Sequence, residues 1–291
     1  MDTESSRESN TSRSWDENFP PVMHFVDLEN ACAKPWKFLE AHPDYDAAKN
    51  HENRVAALRL VHDFLKTPEN HVQLRALKHT YPGAIIVPVR AIEAGGENKI
   101  PGALADYIGC YTGLEVDDNI IQTNHVYRTG SDEWHRFAFR PSFDGEVKAG
   151  RKHILVDDVF SNGGSFNELR LFIERKGGNV VKTIALALGG HGNKIAPEPI
   201  IIKALVDKYG QDTLSLFLKE VRLYDGNFQA LTNPEALALG RAPSLDKARD
   251  RIFAARQAGR SSMGSKSPRQ DEYQASRLDP LEQYRRRKQR W

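Results

Sequence analysis

A short apolar run that breaks off in two carboxylates, then turns through glycine into a helix, restricts the fold of this 291-residue chain more than any other stretch. Ile154, Leu155 and Val156 have the aliphatic, largely β-branched character of a strand buried on both faces, and Asp157 and Asp158 follow at once. Ligands of open α/β sheets collect beyond strand ends of this kind, so an acidic pair there is placed for binding rather than packing. After Val159 and Phe160 come Ser161, Asn162, Gly163, Gly164 and Ser165, and then Phe166, Leu169, Phe172 and Ile173 at helical spacing over 166–175.

The glycines therefore precede a helix start. Without a Cβ the backbone lets N–H groups converge, and a helix N-terminus adds unpaired donors and partial positive charge. A phosphate monoester fits such a cradle. Asp157 and Asp158, one on either side of the strand end, fit vicinal hydroxyls or a hydrated magnesium ion, which takes few carboxylates and completes its shell with ligand oxygens. The implied ligand is a sugar phosphate. A receiver domain also has adjacent aspartates after an apolar strand, but there the pair follows the first strand and a second acceptor aspartate comes later. The plainest alternative is an ordinary strand-to-helix turn with Ser165 as N-cap.

At 154–166 the chain resembles the type I phosphoribosyltransferases, whose signature is an apolar strand, two acidic residues, a few variable positions and Thr-Gly-Gly-Thr or a relative of it. Here Asn162 and Ser165 stand at the threonine positions. The resemblance implies an α/β fold with a mainly parallel sheet flanked by helices. It implies that Asp157 and Asp158 meet the ribose hydroxyls of phosphoribosyl pyrophosphate, and that Ser161, Asn162, Gly163, Gly164 and Ser165 wrap its 5′-phosphate. Mg2+ would come with that donor, held by the acidic pair indirectly through the ribose. The loop after the first core strand would contact pyrophosphate, which points to Arg90 and Lys99. A mobile loop before the acidic-pair strand would close over the reactants, which puts Arg128, His135 and Arg136 near the chemistry.

The remaining pattern supplies a frame. Strands are expected over 83–90 and 180–188, and a helix over 100–109 opened by Pro101 and closed by Gly109. The strand 180–188 ends at Gly189-Gly190-His191-Gly192, a second glycine-rich loop on the same rim if the sheet is parallel, so His191 is a candidate contact to the acceptor. Between 114 and 150 the apolar patches Ile120-Ile121, Val126-Tyr127 and Phe137–Phe139 suit strands around a polar loop at 129–136. Two amphipathic helices broken at Pro68 cover 52–77, and helices interrupted at Gly210 and Pro243 follow over 199–221 and 233–258.

These readings divide the chain into a disordered 1–18, a phosphoribosyltransferase-like α/β core with N-terminal helices over 19–194, a helical extension over 195–259 suited to serve as a hood, and a disordered basic tail over 260–291. Net charge is only +2, so the basicity of 285–290 is local and suits nucleic acid by counterion release. Two cysteines, Cys32 and Cys110, and no leader-like N-terminal run point to a reducing cytoplasm, and no apolar run is long enough to span a membrane. The functional expectation is an enzyme of nucleotide metabolism, a magnesium-dependent pentosyltransferase that moves ribose 5-phosphate to a nucleobase-like acceptor and releases pyrophosphate; a homodimer is compatible with it. The alternative is a non-catalytic regulator that senses the donor or a nucleotide through the same loop. A weaker third is a hydrolase using the acidic pair and a metal.

Overall fold

The computed structural model describes residues 12–26, 36–93, 96–124, 133–189 and 192–264. Arg128, His191, Cys32 and all of the tail beyond Gly264 lie outside the described residues. The expected α/β architecture is present: five strands, β1 (Met23–Val26), β2 (Ile85–Pro88), β3 (Glu115–Val116), β4 (Lys152–Phe160) and β5 (Asn179–Leu188), form one parallel sheet in the order β1-β5-β4-β2-β3.

Alternation along the three central strands explains why both faces are covered. Ile86, Ile154, Val156, Ile184 and Leu186 face a core built with helices Arg54–Leu65, Pro68–Thr80 and Ile100–Thr112. Ile85, Val87, Leu155 and Ala185 face the other way, onto Phe166, Leu169 and Ile173 of helix Gly164–Arg175. Period-2 side chains that are apolar on both faces need helices on both faces, which is the parallel-sheet solution. Pro68 opens its helix with Thr67 as N-cap, its hydroxyl accepting from the Asn70 amide at 3.3 Å.

Several sequence expectations are corrected. The acidic-pair strand does not stop at Val156: Asp157, Val159 and Phe160 still pair with Ala185, Ala187 and Leu188, so both aspartates sit inside the strand's second half. The 83–90 strand is not the first of the sheet, because the edge strand β1 precedes it. The 90–99 loop holds a two-residue hairpin, Ile92–Glu93 with Gly96–Glu97. Residues 133–138, read as loop and strand, are a helix whose Trp134 and Phe137 are buried. Residues 12–18, expected to be disordered, are docked: Trp15 is 7% exposed, and the Arg170 guanidinium lies over its indole at 4.0 Å. One well-stacked aromatic and its cation thus order a segment whose composition is otherwise polar.

The C-terminal helices Pro199–Tyr209, Gln211–Glu220, Asn233–Arg241 and Leu245–Gly264 enclose a core of their own, which Leu171 joins from the far side of helix Gly164–Arg175. Between them, Arg222 (φ +54°), Tyr224 (+49°) and Asp225 (+53°) adopt left-handed backbone without being glycine. Such residues cost about 1–3 kcal/mol each and persist where neighbours over-determine them. Here the Tyr224 hydroxyl donates to Glu235, and Asp225 accepts from the Ser12 hydroxyl at 2.8 Å.

Candidate phosphosugar site

Strand order places the site. The chain runs from β2 out to the edge at β3 and returns to β4 on β2's other side, so the topological switch falls between β2 and β4. Ligands of open parallel sheets bind beyond the carboxyl ends of strands at such a point. Two sequence-predicted loops leave from there, Arg90–Lys99 after β2 and Ser161–Ser165 after β4.

Asp158 is 6% exposed and held on three sides. Its Oδ2 accepts from the Nζ of Lys49, in helix Tyr45–Asn50, and from Asn98 Nδ2 at 2.8 Å, while Oδ1 accepts from the Val159 amide at 2.7 Å. The Asn98 amide is oriented at its other end, where Oδ1 accepts from Ile100 N at 3.1 Å as the next helix begins. Burial alone would raise the Asp158 carboxyl, but the Lys49 charge and the hydrogen bonds from Lys49, Asn98 and Val159 outweigh it and bring its pKa down to about 2. Neither Lys49 nor Asn98 was legible as a site residue; each lies in a different loop-and-helix unit of the N-terminal half. Asp157 is 8% exposed, and its Oδ1 accepts from the Asp158 amide at 2.9 Å.

Beyond the pair the chain turns at Gly163, whose φ of +76° makes it the left-handed N-cap of helix Gly164–Arg175. The N-cap is therefore Gly163 and not Ser165, which is buried within the first turn. A Cβ at Gly163 would lie 3.0 Å from the Phe160 ring and 3.1 Å from the Thr232 methyl, so both backbone sign and space demand glycine. Gly163→Ala is expected to lower stability by about 1–3 kcal/mol, read as a shift of the urea midpoint; a loss below about 0.5 kcal/mol would show that the turn relaxes freely. The Gly164 amide reaches Asn162 Oδ1 only at 3.4 Å, too long for a strong bond.

Two arginines flank this turn, one helical turn apart in sequence. Arg136 donates to the Ser161 hydroxyl. Arg140 packs so closely that a Cβ on Gly164 would lie 2.8 Å from its Nη1. Arg140 also donates to Glu168 at 2.9 Å, to Glu235 and to the Tyr224 hydroxyl, and its guanidinium lies 5.0 Å from that ring's centre. Burial opposes its charge, yet Glu235, Tyr224 and Glu168 hold its pKa far above the ordinary arginine value. Glu235 is wholly buried and closes a capping box with Thr232, whose hydroxyl donates to the Asn162 carbonyl at 2.5 Å. The C-terminal layer thus braces the 161–165 turn from outside, directly through Thr232 and Ile195 and indirectly through the hold of Glu235 on Arg140. Sequence reading singled out Arg136 but missed Arg140 and the whole Glu235 cluster.

The other expected residues fall as follows. Arg90 and Lys99 converge on one carboxylate, that of Glu97, at 2.7 and 2.5 Å. Burial would raise the Glu97 carboxyl, but the two cations hold it below the usual range. His135 sits on helix Glu133–Ala138 with its ring 4.5 Å from that of Phe139. Among the described residues no group of three or more His, Cys, Asp or Glu side chains could hold a metal, and no helix is long and apolar enough to cross a membrane.

No family model matches the chain. Protein TraN of Escherichia coli is 38% identical over 239 residues, which is 82% of this chain and 50% of that protein. An uncharacterized protein of Haemophilus influenzae is 34% identical over 159 residues, 55% of this chain and 33% of that protein. The chain thus spans half or less of the length of these curated relatives. Among solved structures, adenine phosphoribosyltransferase from Rhodothermus marinus is similar with a TM-score of 0.30 at 15% identity, covering 43% of this chain and 70% of that one. Adenine phosphoribosyltransferase from Saccharomyces cerevisiae gives a TM-score of 0.29 at 14% identity, covering 48% and 72%. Identity this low transfers no residue's role.

Proposed function

We propose that the chain binds phosphoribosyl pyrophosphate beyond β2 and β4 and transfers its ribose 5-phosphate to a small, nucleobase-like acceptor. One observation carries the reading: a single strand delivers an acidic pair to the switch-point crevice, and the next turn, held left-handed at Gly163, presents a weakly engaged helix-terminal amide between Arg136 and Arg140. A monoester dianion suits that turn, because helix-terminal N–H groups and guanidinium donors both favour anionic oxygen. Arg90 and Lys99 both pair with Glu97, and Arg90 also lies 3.6 Å from Asp118, so the loop after β2 brings two cations, already engaged with carboxylates, to where a diphosphate would lie. By analogy with other glycosyl transfers the transition state is oxocarbenium-like, and carboxylates at the ribose with cations at the leaving group stabilise the charges as they separate.

The acidic pair fits magnesium only as an ion that keeps its water and ligand oxygens. Asp158 already accepts from Lys49, Asn98 and the Val159 amide, so its interaction with a metal would run through the ribose hydroxyls or a water. Bound magnesium would screen the diphosphate; Asp157 and Asp158 would orient the ribose face.

A second reading is a binding-only regulator. It is favoured by how completely the chain satisfies Asp158 and how closely Thr232 and Ile195 pack on Gly163. Thermal unfolding with phosphoribosyl pyrophosphate, with and without magnesium, coupled to pyrophosphate release across a panel of nucleobases, separates the two. At a hundredfold excess over the dissociation constant, binding stabilises by about 2.7 kcal/mol. Stabilisation with release supports the transferase, and stabilisation without release supports the regulator. Failure of saturating donor to stabilise the protein removes both.

A further inference from the structure

A cavity of about 440 Å3 opens on the side of helix Gly164–Arg175 that faces the C-terminal layer, away from the acidic pair. Its wall consists of Ser12, Glu168, Arg175, Lys219, Arg222, Tyr224 and Asp225. Its volume lies within the range of small-molecule sites. No lining residue is aliphatic, and Tyr224 is only 5% exposed, with its hydroxyl given to Glu235. The wall therefore offers a ligand mainly charge and hydrogen bonds.

The two signs of charge in this wall are unequally committed. Glu168 accepts from Arg140 at 2.9 Å, and Asp225 accepts from the Ser12 hydroxyl at 2.8 Å and its amide at 3.2 Å. Arg175, Lys219 and Arg222 have no acidic partner among the described residues. Several exposed cations elsewhere on the same layer do: Lys203 pairs with Asp207 at 2.6 Å, Arg241 with Glu133 at 2.9 Å and Arg249 with Glu220 at 3.1 Å, whereas Lys208 turns to the carbonyls of Gly240 and Ala242. Arg175 and Lys219 stand in the last turns of their helices, where they also offset the partial negative charge of the carbonyl ends. Arg222 has no such duty. It is carried into the wall by the left-handed backbone at 222, the first of three non-glycine residues held that way in four positions, and strain of this kind gathers at ligand sites.

We infer that this cavity is a second anion site, distinct from the phosphate loop, and that it takes a compact oxyanion of the phosphate or diphosphate class. Arg222 and Arg175 supply planar donor forks that match tetrahedral oxyanions, Lys219 adds a point charge to the same wall, and the absence of aliphatic lining residues disfavours a ligand with a large apolar ring. The inference does not depend on the phosphoribosyl reading, since none of these residues belongs to the crevice beyond β2 and β4.

The test is a titration of isotope-labelled full-length protein with pyrophosphate and, separately, with inorganic phosphate, following backbone amide shifts and the binding isotherm at low salt. Amides of 222–226 are expected to move, and Lys219→Gln with Arg222→Gln is expected to weaken this binding by roughly tenfold or more. Lys219→Arg, which keeps the charge and both guanidinium forks, should retain it, as should Lys203→Gln with Arg241→Gln, which removes the same net charge as the double glutamine variant elsewhere on the layer. Anions that move only the amides of 163–165, or an isotherm that is the same in the glutamine variant as in the wild type, would overturn the inference. Equal weakening by the Lys203 and Arg241 substitutions would also overturn it, because it would reduce the effect to bulk charge.

Discussion

Replacing Glu235 with alanine is expected to remove about 3–5 kcal/mol of stability, the loss typical of breaking a buried ion pair from one side. The residue is wholly buried. Its two oxygens accept from Arg140, from the Tyr224 hydroxyl at 3.0 and 2.8 Å, and from the Thr232 amide at 2.9 Å. Alanine leaves Arg140 with Glu168 as its one carboxylate, removes the carboxylate acceptor of the Tyr224 hydroxyl and the Thr232 amide, and opens a void where packing is dense. Burial keeps the Tyr224 phenol protonated far beyond its ordinary range, so that hydroxyl remains a donor that has lost its carboxylate. Domains of this kind are stable by only about 5–15 kcal/mol, so the variant should unfold at a much lower urea concentration, with an unchanged slope if the native state stays compact. Glu235→Gln should lose less, since an amide oxygen still serves Thr232 and Tyr224. A loss below about 1 kcal/mol in the alanine variant would mean that Arg140 finds another partner, and that the brace on the 161–165 turn is weaker than its geometry implies.

Lys49→Ala is expected to destabilise nearly as much, and to do so in a pH-dependent way. It leaves the Asp158 carboxylate buried with only Asn98 and the Val159 amide, while the side chain that offset its charge is gone. In the wild type the folded carboxyl titrates near 2 against 3.8 unfolded, so the native state gives up this proton more readily than the unfolded chain. The resulting stability, about 2 kcal/mol, is present in full above about pH 4 and is lost as the pH falls toward 2. Asp158→Asn should flatten that limb of the pH–stability profile, whereas Lys49→Ala should move it to higher pH. If phosphoribosyl pyrophosphate is the ligand, Asp158→Asn should also weaken its binding or turnover roughly tenfold to a hundredfold, the worth of one or two hydrogen bonds to a charged group. Wild-type affinity in a folded Asp158→Asn protein would remove the acidic pair from the site.

Much of this arrangement is present locally in the chain. The apolar run at 154–156 forms a doubly buried strand because nothing in it tolerates water, and the helices at 54–65, 68–80, 164–175 and 199–220 follow from apolar spacing with Pro68 and Gly210 as breaks. Other features were hidden for identifiable reasons. The two-residue strand β3 and the four-residue β1 are too short to carry a period, and they exist because longer strands offer them an edge. The helix at 133–138 is a single amphipathic turn and a half, with Trp134 and Phe137 drawn into the C-terminal core. Trp15, in a polar segment, is ordered by Arg170, which is 155 positions away.

By itself, then, the order of residues determined what each neighbourhood must do: where backbone turns left-handed, where a strand hands over to a helix, and where two carboxylates emerge together. Only the tertiary structure decided the state of those carboxylates and the bracing of the turn. Asp158 takes its charge balance from Lys49, 109 positions earlier, and Gly164 meets an arginine whose own partners lie 28, 84 and 95 positions further on. The division is physical. Torsional preference and side-chain period act over a few bonds, whereas burial and charge compensation depend on which distant groups the finished fold brings within hydrogen-bond reach.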